Sequence, residues 1–178
     1  MATNSGADKG TRNLVIVMVL FIVAVGVIFS LISSRSNSTA AIPAAVSEAD
    51  GYGIVLNPES TPKIDVYVDY QCPACRSFEL INGKYLNEVI EAKKAKVVFH
   101  PMTFIGPESI LAANAAACSA DENRFVAMNL ALFQNQPSGE NTGKWQNPFF
   151  IELGKSIGIN STTFESCVND GKYVDWTT

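Results

Sequence analysis

Polar and apolar positions divide the chain into stretches of different period. Leu14 to Ile32 is a continuous apolar run of 19 residues without a charge, close to the roughly 20 that a bilayer-spanning helix needs. Beyond it the runs shorten. Tyr52–Leu56, ended by Asn57-Pro58, reads as a first strand, and Ile64–Tyr70 as a second with Val66 and Val68 on one face and Tyr67 on the other. Phe78, Leu80, Ile81, Tyr85, Leu86, Val89 and Ile90 recur at helical spacing, predicting a helix from Pro73 to about Glu91 with a break at Asn82-Gly83. Lys96–Met102 reads as a third strand ended by proline. The character then changes to helix. Residues 109–118, 123–133 and 148–157 are each helix-like, and Ser161 is placed to cap a further helix leading to Cys167.

These patterns predict a tail over 1–13, a transmembrane anchor over 14–32, a Ser/Ala-rich flexible linker over 33–50 and one domain over 51–178. Lys9 and Arg12 precede the apolar run, so the tail is expected in the cytoplasm and the domain outside the cell membrane, in a single-pass arrangement. Small residues at Ser38-Thr39-Ala40-Ala41 leave a cleaved signal peptide as the alternative. About 130 residues are enough for one domain with its own core. Beyond Arg35, ten Lys and Arg stand against sixteen Asp and Glu. That balance argues against nucleic acid as a partner.

The chemistry concentrates at Cys72-Pro73-Ala74-Cys75, which follows a strand-like run and opens a helix-like one. Two cysteines three apart on a first helical turn can close a small disulfide ring, and the helix start favours a thiolate when the ring opens. Pro73 suits the first helical position, where a missing N–H costs nothing. Cys72, at the tip, is expected to be the more exposed and more readily ionised sulfur and hence the nucleophile; Cys75, one turn in, is its resolver. The same spacing also forms half of a zinc knuckle, but no second short-spaced pair accompanies it and His100 is the only histidine. No metal or cofactor is expected. Outside the membrane disulfides persist, so Cys118 and Cys167 are candidates for a structural bridge, with two buried free thiols as the alternative.

The segment Val68–Glu79, with Cys72-Pro73-Ala74-Cys75 at its centre, resembles the active-site segment of DsbA-like thioredoxin-fold oxidoreductases. The likeness extends to Phe99–Met102, Ala112–Cys118, Ala131–Pro137 and Phe164–Val168, and together these resemble the membrane-anchored DsbA-like proteins of actinobacteria over roughly residues 51–178. The resemblance implies an α/β thioredoxin-like fold with a helical insertion over about 107–178, a Cys118–Cys167 bridge inside that insertion, and thiol–disulfide exchange on secreted proteins. Such proteins continue into two further strands, a cis-proline loop and a closing helix. No proline follows Pro148 in this sequence, so the chain is expected to be truncated, with activity belonging to the complete protein.

Other titrating groups are candidates for tuning the sulfurs. His100, at the end of the third strand, is expected on the same sheet edge as Cys72 and in reach of its thiolate. Glu79, one turn after Cys75, is a candidate proton acceptor for it. Asp65 and Asp69 are expected to share the solvated face of the second strand. The expected function is an oxidase: reduced secreted proteins hand their electrons to the Cys72–Cys75 pair, and a DsbB-like or VKOR-like membrane protein recharges it. A reductase or isomerase of the same fold, and a non-catalytic anchored binding module, are the alternatives.

Overall fold

The structure, a computed structural model, describes residues 7–33 and 40–177, with side chains omitted for residues 7–11, 26 and 28–33. It forms two compact units, Met1–Thr39 and Ala40–Thr178. The first is a helix, α1, Ala7–Ser33. Its apolar side chains from Leu14 to Val23 are all exposed. Among the described residues no helix is long and apolar enough to cross a membrane; the expected span at 14–32 falls in part, at Gly26 and 28–32, outside the residues whose side chains are described. Residues 1–6 of the tail and 34–39 of the linker lie outside the described residues altogether.

The second unit begins earlier than its sequence suggests. Val46–Ser47 forms a short strand, β1, and Glu48–Asp50 a 3-10 turn, so residues 46–50 belong to the folded unit rather than to a linker. Strand β2 spans Gly53–Leu56, β3 Lys63–Val68 and β4 Lys96–Pro101. The sheet order is β1-β2-β4-β3, with β2 antiparallel and β3 parallel to β4. Parallel neighbours need a crossover; helix α2, Pro73–Glu91, supplies it. Val66 and Val68 of β3 and Val97 and Phe99 of β4 are buried, whereas Lys63, Asp65 and Tyr67 point outward, the alternation that a period of two imposes.

Helix α2 runs without the break expected at Asn82-Gly83. A helical glycine costs roughly 1 kcal/mol relative to alanine, but here a Cβ on Gly83 would come within 2.5 Å of Glu79 Oε1. The glycine makes room for a side chain instead of ending the helix.

Five helices follow: α3 Pro107–Asp121, α4 Phe125–Gln134, α5 Asn147–Ser156, α6 Thr162–Asn169 and α7 Val174–Thr177. Ser161 caps α6 by accepting the Phe164 N–H at 3.0 Å. Helix α3 is buried all round, and small side chains let it be so: Ala112, Ala113, Ala115, Ala116 and Ala117 have no exposed surface. They admit α6 and α7 close to its axis.

Cys118 of α3 and Cys167 of α6 are bonded, closing a segment of 49 residues with their Cα atoms 5.9 Å apart. A loop of that length removes on the order of 4 kcal/mol of unfolded-chain entropy. Replacing both cysteines by alanine is therefore expected to lower the unfolding free energy by about 2–4 kcal/mol in urea titrations. An unchanged midpoint would show that the bond adds nothing to the helical packing.

Candidate active site

The turn between β3 and α2 carries Asp69, Tyr70, Gln71 and Cys72. The alternation along β3 stops at Val68, and Asp69 turns inward with no exposed surface. Its carboxylate accepts the Gln71 N–H at 2.9 Å and the Ser109 hydroxyl at 2.7 Å through Oδ1, and the Ile105 N–H at 3.1 Å through Oδ2. Asp69 thus ties the turn to the loop after β4 and to the start of α3. It does not share a solvated face with Asp65, which stays on the outer side of β3.

Gln71, also buried, extends the tie. Its amide donates to Ser109 Oγ at 2.9 Å and Asn141 Oδ1 at 3.1 Å, and its Oε1 accepts the Asn141 N–H at 2.6 Å. Periodicity gave no warning of this network, because its members come from three segments far apart in sequence. The one local signal was a polar Asp-Tyr-Gln sequence where a strand should continue into apolar core.

Cys72 is the N-cap of α2, in extended conformation at φ −74° and ψ 119°, and Pro73 occupies the first turn. Its N–H donates to Asp69 O and its carbonyl accepts the Arg76 N–H, each at 3.0 Å. The side chain therefore sits at the positive end of the α2 dipole. Cys72 and Cys75 are both half-buried, unbridged thiols, a more even division of exposure than their positions along the helix suggest. Burial pushes the Cys75 thiol above its ordinary value, a backbone hydrogen bond at Asp69 opposes this, and the neighbouring Cys72 and the Asp69 charge add to it. Cys75 also lines an apolar cleft between β3 and α2 with Ile64, Val66, Val68, Ala74 and Phe78.

His100 stands elsewhere. It pairs with Tyr67 across β3 and β4, stacks on that ring at 4.4 Å, and places Nε2 3.1 Å from Asp65 Oδ1. The imidazole also fills the space over Gly53, where a Cβ would come within 2.8 Å of it. The expected contact with the Cys72 thiolate gives way to contacts with Asp65 and the Tyr67 ring, because the side chain at this register points with Tyr67 and not with the core.

Glu79 is buried too, but it faces Gly83 and the amide of Asn129 on α4 rather than Cys75. Tyr70 Oη, Glu79 Oε2 and Asn129 Oδ1 are buried without a hydrogen-bond partner among the described residues. Burial raises the Glu79 pKa, partly offset by Asn129. Among the described residues, no group of three or more His, Cys, Asp and Glu side chains is assembled to hold a metal.

The Glu79 shift fixes a sign. A carboxyl whose pKa is higher folded than unfolded contributes its stability below the unfolded value and loses it as pH rises through the folded one. Glu79→Gln keeps the shape without the charge, so it should raise the melting temperature at pH 8 relative to the parent and leave it nearly unchanged at pH 4. A loss of stability at pH 8 would mean that the carboxylate is favourably held.

Comparison with known proteins places this geometry. The family model described as thioredoxin matches residues 50–178. No curated protein matches the chain. Among solved structures, the reduced disulfide bond oxidoreductase DsbG of Mycobacterium tuberculosis is similar at 24% identity and a TM-score of 0.65, over 72% of this chain and 70% of that one. The thiol-disulfide oxidoreductase MdbA of Actinomyces oris is similar at 19% identity and 0.64, over 79% and 74%. Oxidised DsbA of Mycobacterium tuberculosis is similar at 24% and 0.63, over 70% and 73%. At these identities the structures share the fold, and with its family model covering well over half of its length, the chain belongs to the thioredoxin family.

Proposed function

We propose that the chain is a thiol–disulfide oxidoreductase that introduces disulfides into secreted proteins outside the cytoplasm, with Cys72 as nucleophile and Cys75 as resolving cysteine. The observation that carries this reading is the seat of Cys72 as N-cap of α2, one turn ahead of a partly buried Cys75. Similarity to oxidoreductases of the same fold supports it.

In the oxidised form a substrate thiolate attacks Cys72 Sγ, forming a mixed disulfide and expelling Cys75 as thiolate, which takes up a proton. A second substrate thiolate then attacks the substrate sulfur of that bond and releases Cys72. The substrate gains one disulfide and loses two protons, and its two electrons stay on the Cys72–Cys75 pair. Stabilising the released thiolate at a helix N-terminus makes the disulfide more oxidising. A DsbB-like or VKOR-like membrane protein would withdraw the electrons.

The same reading seats Leu14–Ile32 in the cell membrane as a single anchor, with Lys9 and Arg12 on the cytoplasmic side. Supporting it are the apolar run itself and its position inside a helix of 27 residues.

Oxidised full-length chain, mixed with a reduced unfolded protein, is expected to form substrate disulfides at least about tenfold faster than glutathione disulfide at equal concentration. The Cys75→Ala variant, preloaded at Cys72 as a mixed disulfide with glutathione and given a substrate carrying a single thiol, should exchange glutathione for the substrate and accumulate a one-to-one mixed disulfide through Cys72, with glutathione released as the thiol. Oxidation no faster than with glutathione, and no trapped adduct, would remove the enzymatic reading.

A further inference from the structure

The main chain at Cys72 is held from both sides. Its N–H goes to Asp69 O, and its carbonyl accepts Arg76 N–H and, at 3.1 Å, the side-chain amide of Gln136. Both lone pairs of that oxygen are engaged. The same Gln136 amide donates to Tyr70 O at 2.7 Å. Gln136 lies two residues past α4, in the helical segment, 64 residues from Cys72 and 66 from Tyr70. One side chain from a distant segment therefore engages the carbonyl oxygens of Cys72 and of Tyr70, two residues before it.

The two oxidation states differ in how they respond to those oxygens. A carbonyl oxygen is the negative end of a dipole, so it opposes a thiolate beside it and is nearly indifferent to a neutral disulfide sulfur. An amide N–H drawn onto each oxygen weakens that opposition. It also fixes the peptide plane that aims the first N–H groups of α2 at the sulfur.

We propose that Gln136 is a positioning residue that sets the redox balance of the Cys72–Cys75 pair by donating to the carbonyl oxygens of Tyr70 and Cys72. The inference rests on the exchange chemistry proposed above, and it adds that the helical segment tunes this chemistry through one amide.

The test is the equilibrium of the full-length chain with glutathione: two glutathione thiols reduce the Cys72–Cys75 disulfide to two thiols and leave as one glutathione disulfide. This constant responds only to differences between the two forms, so a side chain that merely stabilises both equally does not move it. Gln136→Met should lower the constant for reduction about fivefold, the loss of roughly one hydrogen bond from one form. Gln136→Glu, which cannot donate when ionised and adds a negative charge, should lower it further at pH 7, whereas Gln136→Lys, which keeps a donor, should not lower it. Should the methionine variant fail to fold, the glutamate and lysine variants carry the same comparison. Constants for Met and Glu within twofold of the parent, with only the melting temperature reduced, overturn the inference and leave the proposed function standing. A parent pair that never exchanges with glutathione removes both.

Discussion

One buried carboxylate sets the geometry of the strand-to-helix turn. Asp69 receives hydrogen bonds from Gln71, Ser109 and Ile105, and its own carbonyl receives the Cys72 N–H. A carboxylate held by several N–H and O–H donors tolerates burial that an unpartnered one does not. Its partners come from the turn itself, from the loop after β4 and from α3. The cysteine pair is thus oriented by tertiary structure and not by the helix start alone.

This arrangement joins the sheet to the helical segment at the point where chemistry is proposed. Gln71 and Asn141 exchange hydrogen bonds, Arg76 donates to Phe133 O at 3.1 Å, and Gln136 reaches Tyr70 and Cys72. The Cys118–Cys167 bond and the alanine-lined α3 hold that segment together behind them. Helices α3 to α6 therefore serve as the wall against which the turn is braced.

Elements governed by local periodicity were legible in the sequence. The strand ending at Leu56, the helix from Pro73 and the cap at Ser161 fall where pattern, proline and capping chemistry place them, whereas β3 stops at Val68, two residues short of the expected Tyr70. Gly83 misled because its reason is the Glu79 side chain lying over it, which no propensity records. His100 was placed on the correct strand, but its side chain contacts Tyr67 and Asp65 where a contact with Cys72 was expected. Its register partner, Tyr67, decides the direction. Asp69 looked like a solvated polar residue because its partners Ile105 and Ser109 lie 36 and 40 residues away. Gln136 fell within a segment carrying family resemblance, but nothing in its surroundings announced a contact with Cys72. Buried polar networks of high sequence separation leave no periodic trace.

The central claim is that Cys72 and Cys75 act as one two-electron couple while Cys118 and Cys167 remain bonded. It is tested most directly by holding the full-length chain over a series of glutathione ratios, alkylating at each, and locating the labels by mass spectrometry. The account predicts that Cys72 and Cys75 gain or lose their labels together over one transition, with Cys118 and Cys167 unlabelled throughout. Independent labelling of Cys72 and Cys75, or labels on Cys118 and Cys167 appearing at the same ratio, would contradict it.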